Sequence, residues 1–140
     1  MRKQRYFEKV EMFETEMKFI KTHTMADDVL IRALSYSLQV CIDIVIDCIA
    51  MMTKDLGLVV EDDYTNIEKL EKEKAFSKTE ANLIRKFNGL RNAIVHKYNH
   101  LDLTIIEEGL KQIENLYELL VKTVDFIEKK LNLHDETQTS

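Results

Sequence analysis

The sequence predicts an all-α fold, an antiparallel four-helix bundle with one additional short helix. The 140 residues include no proline and only three glycines, so little in the chain interrupts a helix. Apolar residues recur at spacings of three and four, and they form no alternating runs of the kind that strands need. A chain of this length usually builds one core, so we expect a single domain over residues 1–133 and a polar tail over 134–140.

Two helices are predicted in the first part of the chain. The first extends over about residues 3–21, where apolar side chains recur every three or four residues and the opposite face is charged. The second extends over about residues 26–56. Thr24 is its predicted N-cap, and Gly57 is expected to end it.

The second segment is apolar on nearly all sides, so other helices or a second copy of the chain must cover it. Asp43 and Asp47 interrupt it and form one polar stripe with Gln39. This stripe is either a solvated face or the edge of a cleft that orients a nearby cation. The two carboxylates also argue against a membrane span.

The two cysteines, Cys41 and Cys48, lie seven residues apart in the same segment. On a helix this spacing is two turns, which is too long for a disulfide. Buried reduced cysteines are typical of a cytosolic protein, and the amino-terminal residues lack the apolar core of a signal peptide. We therefore expect a cytoplasmic protein with no membrane partner.

Three further helices are predicted in the second half. A short one covers about residues 66–73. The next begins at Ser77-Lys78-Thr79-Glu80, which matches the capping box, and continues to about residue 96. Asn88-Gly89 is a turn signal inside that span, or else Gly89 allows another backbone to approach closely. Asp102 is the predicted cap of the last helix, whose apolar stripe continues to Ile127.

Residues 89–98, Gly-Leu-Arg-Asn-Ala-Ile-Val-His-Lys-Tyr, concentrate four groups capable of chemistry: Arg91, Asn92, His96 and Tyr98. The chain has a formal net charge of -5, yet no acidic residue occurs between positions 81 and 101. A local cluster of cations suggests a phosphate-bearing ligand more than a broad grip on nucleic acid. The cations in this interval are Arg85, Lys86, Arg91 and Lys97.

These residue types suit transesterification of RNA. An imidazole exchanges protons near neutral pH, so His96 can take a proton from a ribose 2′-hydroxyl or give one to a leaving oxygen. Arg91 can hold a phosphate, and Asn92 can help to position it. On a regular helix Arg91 and His96 point well apart, a difficulty that is relieved if two copies form a composite cleft. No convincing metal-ligand set is found around the histidines at positions 23, 96, 100 and 134, and no cofactor is expected.

The longer string, continued by Asn-His-Leu-Asp, closely resembles the signature of HEPN domains. Within them it looks most like the HepT family, the toxin half of HEPN/MNT toxin–antitoxin modules. The family pattern is an Arg and a His separated by four to six residues, with an Asn directly after the Arg and a Tyr two positions after the His. Arg91, Asn92, His96 and Tyr98 stand at these positions. The resemblance also includes helix order and the long apolar second helix, over about residues 20–130.

The resemblance implies a metal-independent endoribonuclease that acts as a homodimer, with Arg91 and His96 of each copy at a shared cleft. It implies RNA as the substrate and an MntA-like nucleotidyltransferase as the antitoxin partner. That partner would add AMP to Tyr98, and the added phosphate would compete with RNA for the guanidinium. The candidate supporting groups at the cleft are Asp43, Asp47 and Lys97.

Two other interpretations remain open. The chain could be a non-catalytic HEPN module that binds nucleotide or acts as a scaffold for a nucleotidyltransferase, or it could be a plain oligomeric bundle. In the plain bundle Arg91 makes only a salt bridge, His96 is an ordinary helical histidine and Tyr98 is an interface aromatic. In that case Asp43 and Asp47 are only a small acidic stripe on a helix face that is exposed to solvent.

Overall fold

A computed structural model of the protein describes residues 2–96 and 102–139, with side chains from residue 3 to 96 and from 102 to 132. These residues form helices and no strand, which confirms the predicted all-α class. The helices are α1 (Arg2–Thr22), α2 (Asp28–Asp55), α3 (Asp63–Lys72), α4 (Lys78–His96), α5 (Leu103–Lys111) and α6 (Ile113–Thr139). The boundary between a domain over 1–133 and a tail over 134–140 stays a prediction.

Helix α2 lies at the centre of the bundle and packs against all five of the others. Its predicted apolar seam faces the core, where Leu34, Leu38, Val45 and Met52 are almost completely buried. Over the described residues, α2 is the one helix whose length and composition would also allow it to cross a membrane. In this structure the apolar seam is covered by the neighbouring helices, as in the core helix of a bundle.

Helix α2 begins and ends at identifiable caps. The predicted N-cap, Thr24, is wrong: Asp27 caps the helix and its Oδ1 accepts a hydrogen bond from the Leu30 backbone N–H at 2.8 Å. The helix starts at Asp28, so Thr24 is too far from the first turn to bond to it. At the other end Gly57 has a φ of +80°, and its N–H bonds to the Lys54 carbonyl oxygen, as predicted for a C-terminal glycine.

The predicted capping box at the start of α4 is confirmed. Ser77 N–H donates to Glu80 Oε1 at 2.8 Å, and Glu80 N–H donates to Ser77 Oγ at 3.1 Å. The helix continues without a break through Gly89, so the Asn88-Gly89 turn signal does not interrupt it. A glycine in a helix interior lowers the stability of the helix, but it causes no steric clash that would end it.

The last predicted helix is in fact two helices, α5 and α6, which are separated at Gln112. Asp102 caps α5 as predicted, and its Oδ1 accepts from the Thr104 N–H at 2.9 Å. Gly109 lets α5 pack closely, because a Cβ there would lie 2.5 Å from Leu90 Cδ2 and 3.1 Å from Leu38 Cδ2. The apolar stripe continues across Gln112, which is why the pattern alone shows one helix.

Helices α2 and α4 lie antiparallel. Leu38 and Leu90 both approach Gly109, whereas Met52 and Phe76 line the same small internal cavity at the other end. The carboxyl end of α4 therefore lies beside the amino-terminal half of α2. This arrangement brings the 89–96 segment next to the polar stripe of α2.

Candidate functional site

The site is built on two faces of α4. One face enters the core through Ile84, Phe87 and Ile94, which are buried. The opposite face is exposed and carries Asn92 and His96 one turn apart. Arg91 lies one turn after Phe87, on the side of α4 that faces α2, and is partly buried.

Arg91 extends from α4 to α2 and binds Asp43. Its Nε donates to Asp43 Oδ1 at 2.7 Å, and Nη1 donates to Asn92 Oδ1 at 3.1 Å. The side chains of Arg91 and Asp43 are 32% and 35% exposed, so solvent reaches the pair. A guanidinium has five N–H donors, and Asp43 and Asn92 fix its orientation while leaving Nη hydrogens for a further acceptor.

His96 is the last residue of α4 and is exposed. Five residues along a regular helix give a rotation of about 140° and a rise of about 7.5 Å, so Arg91 and His96 point in different directions. No hydrogen bond joins these two side chains in the described part of the chain. The structure thus brings Arg91 together with Asn92 and Asp43, and it leaves His96 one turn farther along the exposed face of α4.

The two carboxylates of the α2 stripe have different partners. Asp43 binds Arg91, whereas Asp47, one turn later, accepts from Lys9 Nζ of α1 at 3.2 Å. Asp47 is 59% exposed and does not contact the Arg91 group. Two other predicted site residues, Lys97 and Tyr98, lie outside the described residues.

The cation cluster predicted from the sequence is only partly available to a ligand. Arg85 Nη2 binds Glu71 Oε1 at 3.2 Å, and its guanidinium lies 5.0 Å from the centre of the Tyr64 ring. Lys86 is exposed and forms no ion pair with another described residue. Among residues 2–96 and 102–132, no three His, Cys, Asp or Glu side chains are grouped so that they could hold a metal ion.

A largely apolar groove of about 490 Å³ lies beside this face, between α4 and α5. Gly89 and Ala93 form its α4 wall, and Thr104 and Ile105 form part of its α5 wall. A Cβ added to Gly89 would meet nothing within 4 Å, so the groove is open at that point.

Comparison with known proteins shows the family of this chain. The family model described as "Ribonuclease HepT-like" matches residues 4–124, which include both helices of the site. The chain belongs to the HepT-like ribonuclease family. The family resemblance seen in the 89–98 segment is therefore confirmed over most of the chain.

Two relatives from Archaeoglobus fulgidus, each provisionally named an RNase, are similar to this HepT-like protein over nearly their whole length. One is 50% identical over 129 residues, which are 92% of this chain and 98% of the relative. The other is 34% identical over 131 residues, which are 94% of this chain and 96% of the relative. A protein of the same name from Methanocaldococcus jannaschii is 54% identical over 76 residues, 54% of this chain and 87% of the relative.

Two solved structures have the same fold as this HepT-like protein. One is a toxin–antitoxin complex with AMP-PNP, with a TM-score of 0.73 and 19% identity over 87% of this chain and 96% of that one. The other is a tri-AMPylated HEPN toxin of Shewanella oneidensis in complex with an MNT antitoxin. Its TM-score is 0.73, with 20% identity over 89% of this chain and 96% of that one. The predicted HEPN architecture is thereby confirmed.

The polar stripe that the sequence predicts on α2, formed by Gln39, Asp43 and Asp47, is shorter than the exposed face in the structure. In the structure of this HepT-like protein the exposed face of α2 continues toward its amino terminus through Tyr36 and Arg32. Tyr36 is seven residues before Asp43, Arg32 is four residues before Tyr36, and Asp47 is four residues after Asp43. Spacings of four and seven residues keep side chains on one side of a helix. That spacing was the available signal, and it was hidden by the apolar residues around it.

Proposed function

We propose that this HepT-like protein is a metal-independent endoribonuclease toxin, acting in the cytoplasm as a homodimer. Arg91, Asn92 and His96 of each copy would line a cleft between the copies. The observation that carries the proposal is the partly exposed Arg91 guanidinium, which Asp43 and Asn92 orient while its remaining N–H groups have no partner among the described residues. Its membership of a ribonuclease family supports RNA as the substrate.

The reaction we propose needs only proton transfers and a phosphate clamp. A ribose 2′-hydroxyl attacks the adjacent phosphorus, forming a new O–P bond while the bond to the 5′-oxygen breaks. One imidazole accepts the 2′-hydroxyl proton, and a protonated imidazole supplies a proton to the departing 5′-oxygen. Arg91 neutralises the charge that develops on the phosphate oxygens. The products are a 2′,3′-cyclic phosphate and a 5′-hydroxyl.

A second copy of the chain would resolve the divergence of Arg91 and His96. Within one helix these side chains are rotated by about 140°. If two copies pack together through α2 and α4, His96 of one copy can approach Arg91 of the other. The homodimer is thus part of the proposed mechanism, because the single chain does not bring an imidazole to its own guanidinium.

The proposed antitoxin is a nucleotidyltransferase of the MNT type. The structurally similar Shewanella oneidensis toxin is AMPylated and bound to an MNT antitoxin, which supports a partner of this kind here. Tyr98 is the proposed acceptor of AMP. It is two residues beyond His96 in sequence, so an added phosphate would stand near the proposed cleft and repel RNA.

The nuclease proposal is tested by RNA cleavage with His96→Ala and with His23→Ala as the matched control. Both histidines are exposed in the structure, so both variants are expected to fold. We expect His96→Ala to lose cleavage, His23→Ala to keep it, and the parent to remain active in EDTA. Equal cleavage by all three proteins would contradict the assignment, and loss of cleavage in EDTA would contradict metal independence.

The regulatory proposal is tested by incubating the protein with the nucleotidyltransferase and ATP and measuring its mass. The parent should gain one or more AMP groups and lose cleavage, and Tyr98→Phe should gain none. A Tyr98→Phe variant that still gains AMP would refute Tyr98 as the acceptor.

A second candidate is a non-catalytic module that acts as a scaffold for the nucleotidyltransferase. The net charge of -5 favours it, because an acidic chain repels RNA in general. A scaffold keeps its partner after His96→Ala and shows no cleavage in any variant.

A further inference from the structure

Tyr36 is an exposed aromatic residue with no contact that explains it. Four tyrosines lie in the part of the chain whose side chains are described. Tyr6 donates to Asp55, Tyr117 donates to Glu14, and Tyr64 lies under the Arg85 guanidinium. Tyr36 is 64% exposed and has neither a hydrogen bond nor a ring contact within those residues.

Neither packing nor helix propensity accounts for an aromatic ring at this position. Tyrosine is a weaker helix former than the lysine or glutamate that usually occupies an exposed site. An exposed aromatic ring offers a surface on which an unpaired nucleobase can stack.

Arg32 stands one turn before Tyr36 on the same face of α2. It is exposed and forms no ion pair or hydrogen bond with any residue whose side chain is described. Asp28, one turn earlier, does not pair with it in the structure. Within residues 3–96 and 102–132, the positive charge of Arg32 therefore has no acidic partner.

Tyr36 and Arg32 lie on the same side of α2 as Asp43. Seven residues are close to two full turns, which place Tyr36 about 10.5 Å along the helix from Asp43. Arg32 lies about 6 Å farther in the same direction. Because α2 and α4 are antiparallel, this direction leads from Arg91 toward the end of α4 that carries His96.

We propose that Tyr36 and Arg32 form an RNA-binding subsite that extends from the Arg91 phosphate clamp along α2. Tyr36 stacks on an unpaired base next to the phosphate held by Arg91, and Arg32 binds a phosphate farther along the same strand. The inference rests on the proposed function for the nature of its ligand. The strand must be unpaired where it meets Tyr36, because a base inside a duplex cannot stack on a side chain.

The subsite also accounts for RNA binding by an acidic protein. The Arg91–Asp43 pair has no net charge, and Arg32 has no acidic partner among the residues whose side chains are described, so a strand lying along this ridge meets a net positive charge. Stacking does not depend on net charge, so it supplies affinity that the overall charge of -5 does not.

The test measures binding of a short single-stranded 2′-O-methyl RNA that contains one 2-aminopurine, together with the same strand in a duplex. The modified RNA lacks the attacking hydroxyl, so binding is measured without cleavage. The variants are Tyr36→Ala and Tyr36→Phe, with Tyr64→Ala as a matched control. Tyr64 is 61% exposed, lies on α3 and contacts the guanidinium of Arg85, not that of Arg91. Sedimentation of each variant gives its assembly state.

We expect Tyr36→Ala to weaken Kd for the single strand about tenfold or more, since stacking on an aromatic ring has an effect of that order. Tyr36→Phe should stay within about twofold and keep the quenching of 2-aminopurine, because it keeps the ring. Tyr64→Ala should bind as the parent does, and the duplex should bind more weakly than the single strand. Arg32→Gln should reduce the slope of log affinity against log salt by about 0.7, whereas Arg5→Gln at an exposed position of α1 should leave it unchanged.

The inference is overturned if Tyr36→Ala binds the single strand like the parent, or if Tyr36→Phe loses as much affinity as Tyr36→Ala. It is also overturned if the loss of binding accompanies dissociation of the dimer, which would place Tyr36 in the interface between copies. Tyr36-dependent binding without cleavage of unmodified RNA would support the subsite and refute the nuclease. Cleavage that is lost in His96→Ala, with RNA binding that is unchanged in Tyr36→Ala, would support the nuclease and refute the subsite.

Discussion

Asp43 is expected to hold Arg91 in the orientation that catalysis needs, and the substitution Asp43→Asn tests this. The Nε–Oδ1 distance of 2.7 Å is that of a charge-assisted hydrogen bond. Such bonds stabilise a folded protein by about 1.5–3 kcal/mol, but both partners here are about one-third exposed. Solvent screening reduces the contribution to about 1 kcal/mol. For 140 residues this corresponds to a fall in Tm of about 3 °C.

The effect on cleavage should exceed the effect on stability. Without Asp43 the guanidinium can rotate away from the scissile phosphate, and a small displacement of a catalytic group lowers kcat by about ten- to a hundredfold. KM should change less, because the charge of Arg91 remains. Asp43→Glu, which keeps a carboxylate, should recover part of the rate.

The assay compares kcat, KM and Tm of Asp43→Asn with those of Asp47→Asn. Asp47 is on the same helix one turn later, but it binds Lys9 and does not contact Arg91. Asp47→Asn should therefore leave kcat unchanged. Equal loss of kcat in both variants would show that the acidic stripe acts through its general charge and would refute a specific role for Asp43.

Three further outcomes are expected. Gly89→Ala should stabilise the folded chain by about 0.5–1 kcal/mol, since nothing lies within 4 Å of the added Cβ. Gly109→Ala should destabilise it by about 1 kcal/mol, because the Leu90 side chain must move. Urea unfolding that ranks the two variants in the opposite order would contradict the close packing of α5. Burial raises the pKa of the Cys41 and Cys48 thiols to about 12, so a thiol reagent at pH 8 should modify them only after unfolding, and rapid reaction of the native protein would contradict their burial. The Ser77 backbone N–H and Lys122 hold the pKa of Glu80 below its usual 4.5. The charge of Glu80 therefore stabilises the fold above that pH, and this stabilisation is lost as the pH falls through the lowered pKa. The difference in unfolding free energy between the parent and Glu80→Gln should shrink in acid, and a difference that stays constant with pH would contradict the linkage.

Local signals were predictable from the sequence. The capping box at Ser77 and Glu80, the cap at Asp102 and the end of α2 at Gly57 each depend on residues within one turn, and all three are confirmed. The N-cap of α2 was not predicted correctly, because Thr24 and Asp27 are both good capping residues. The point at which the backbone leaves α1 and turns into α2 decides between them.

Contacts between helices were harder to predict. The division between α5 and α6 at Gln112 has no signal in the apolar stripe, which continues across it unchanged. The sequence offered two carboxylates, Asp43 and Asp47, as partners for the cations of the motif. Only the packing of α2 against α4 and α1 shows that the first binds Arg91 and the second binds Lys9.

The partners in the Arg91–Asp43 ion pair are 48 residues apart in the chain. A ribosome therefore finishes α2 long before it makes the helix that supplies the guanidinium. While α4 is still inside the exit tunnel, the emerging chain can form the α1–α2 hairpin but carries no phosphate clamp. Under the proposed function, a toxin built in this order cannot damage RNA near the ribosome that is translating it until α4 has left the exit tunnel.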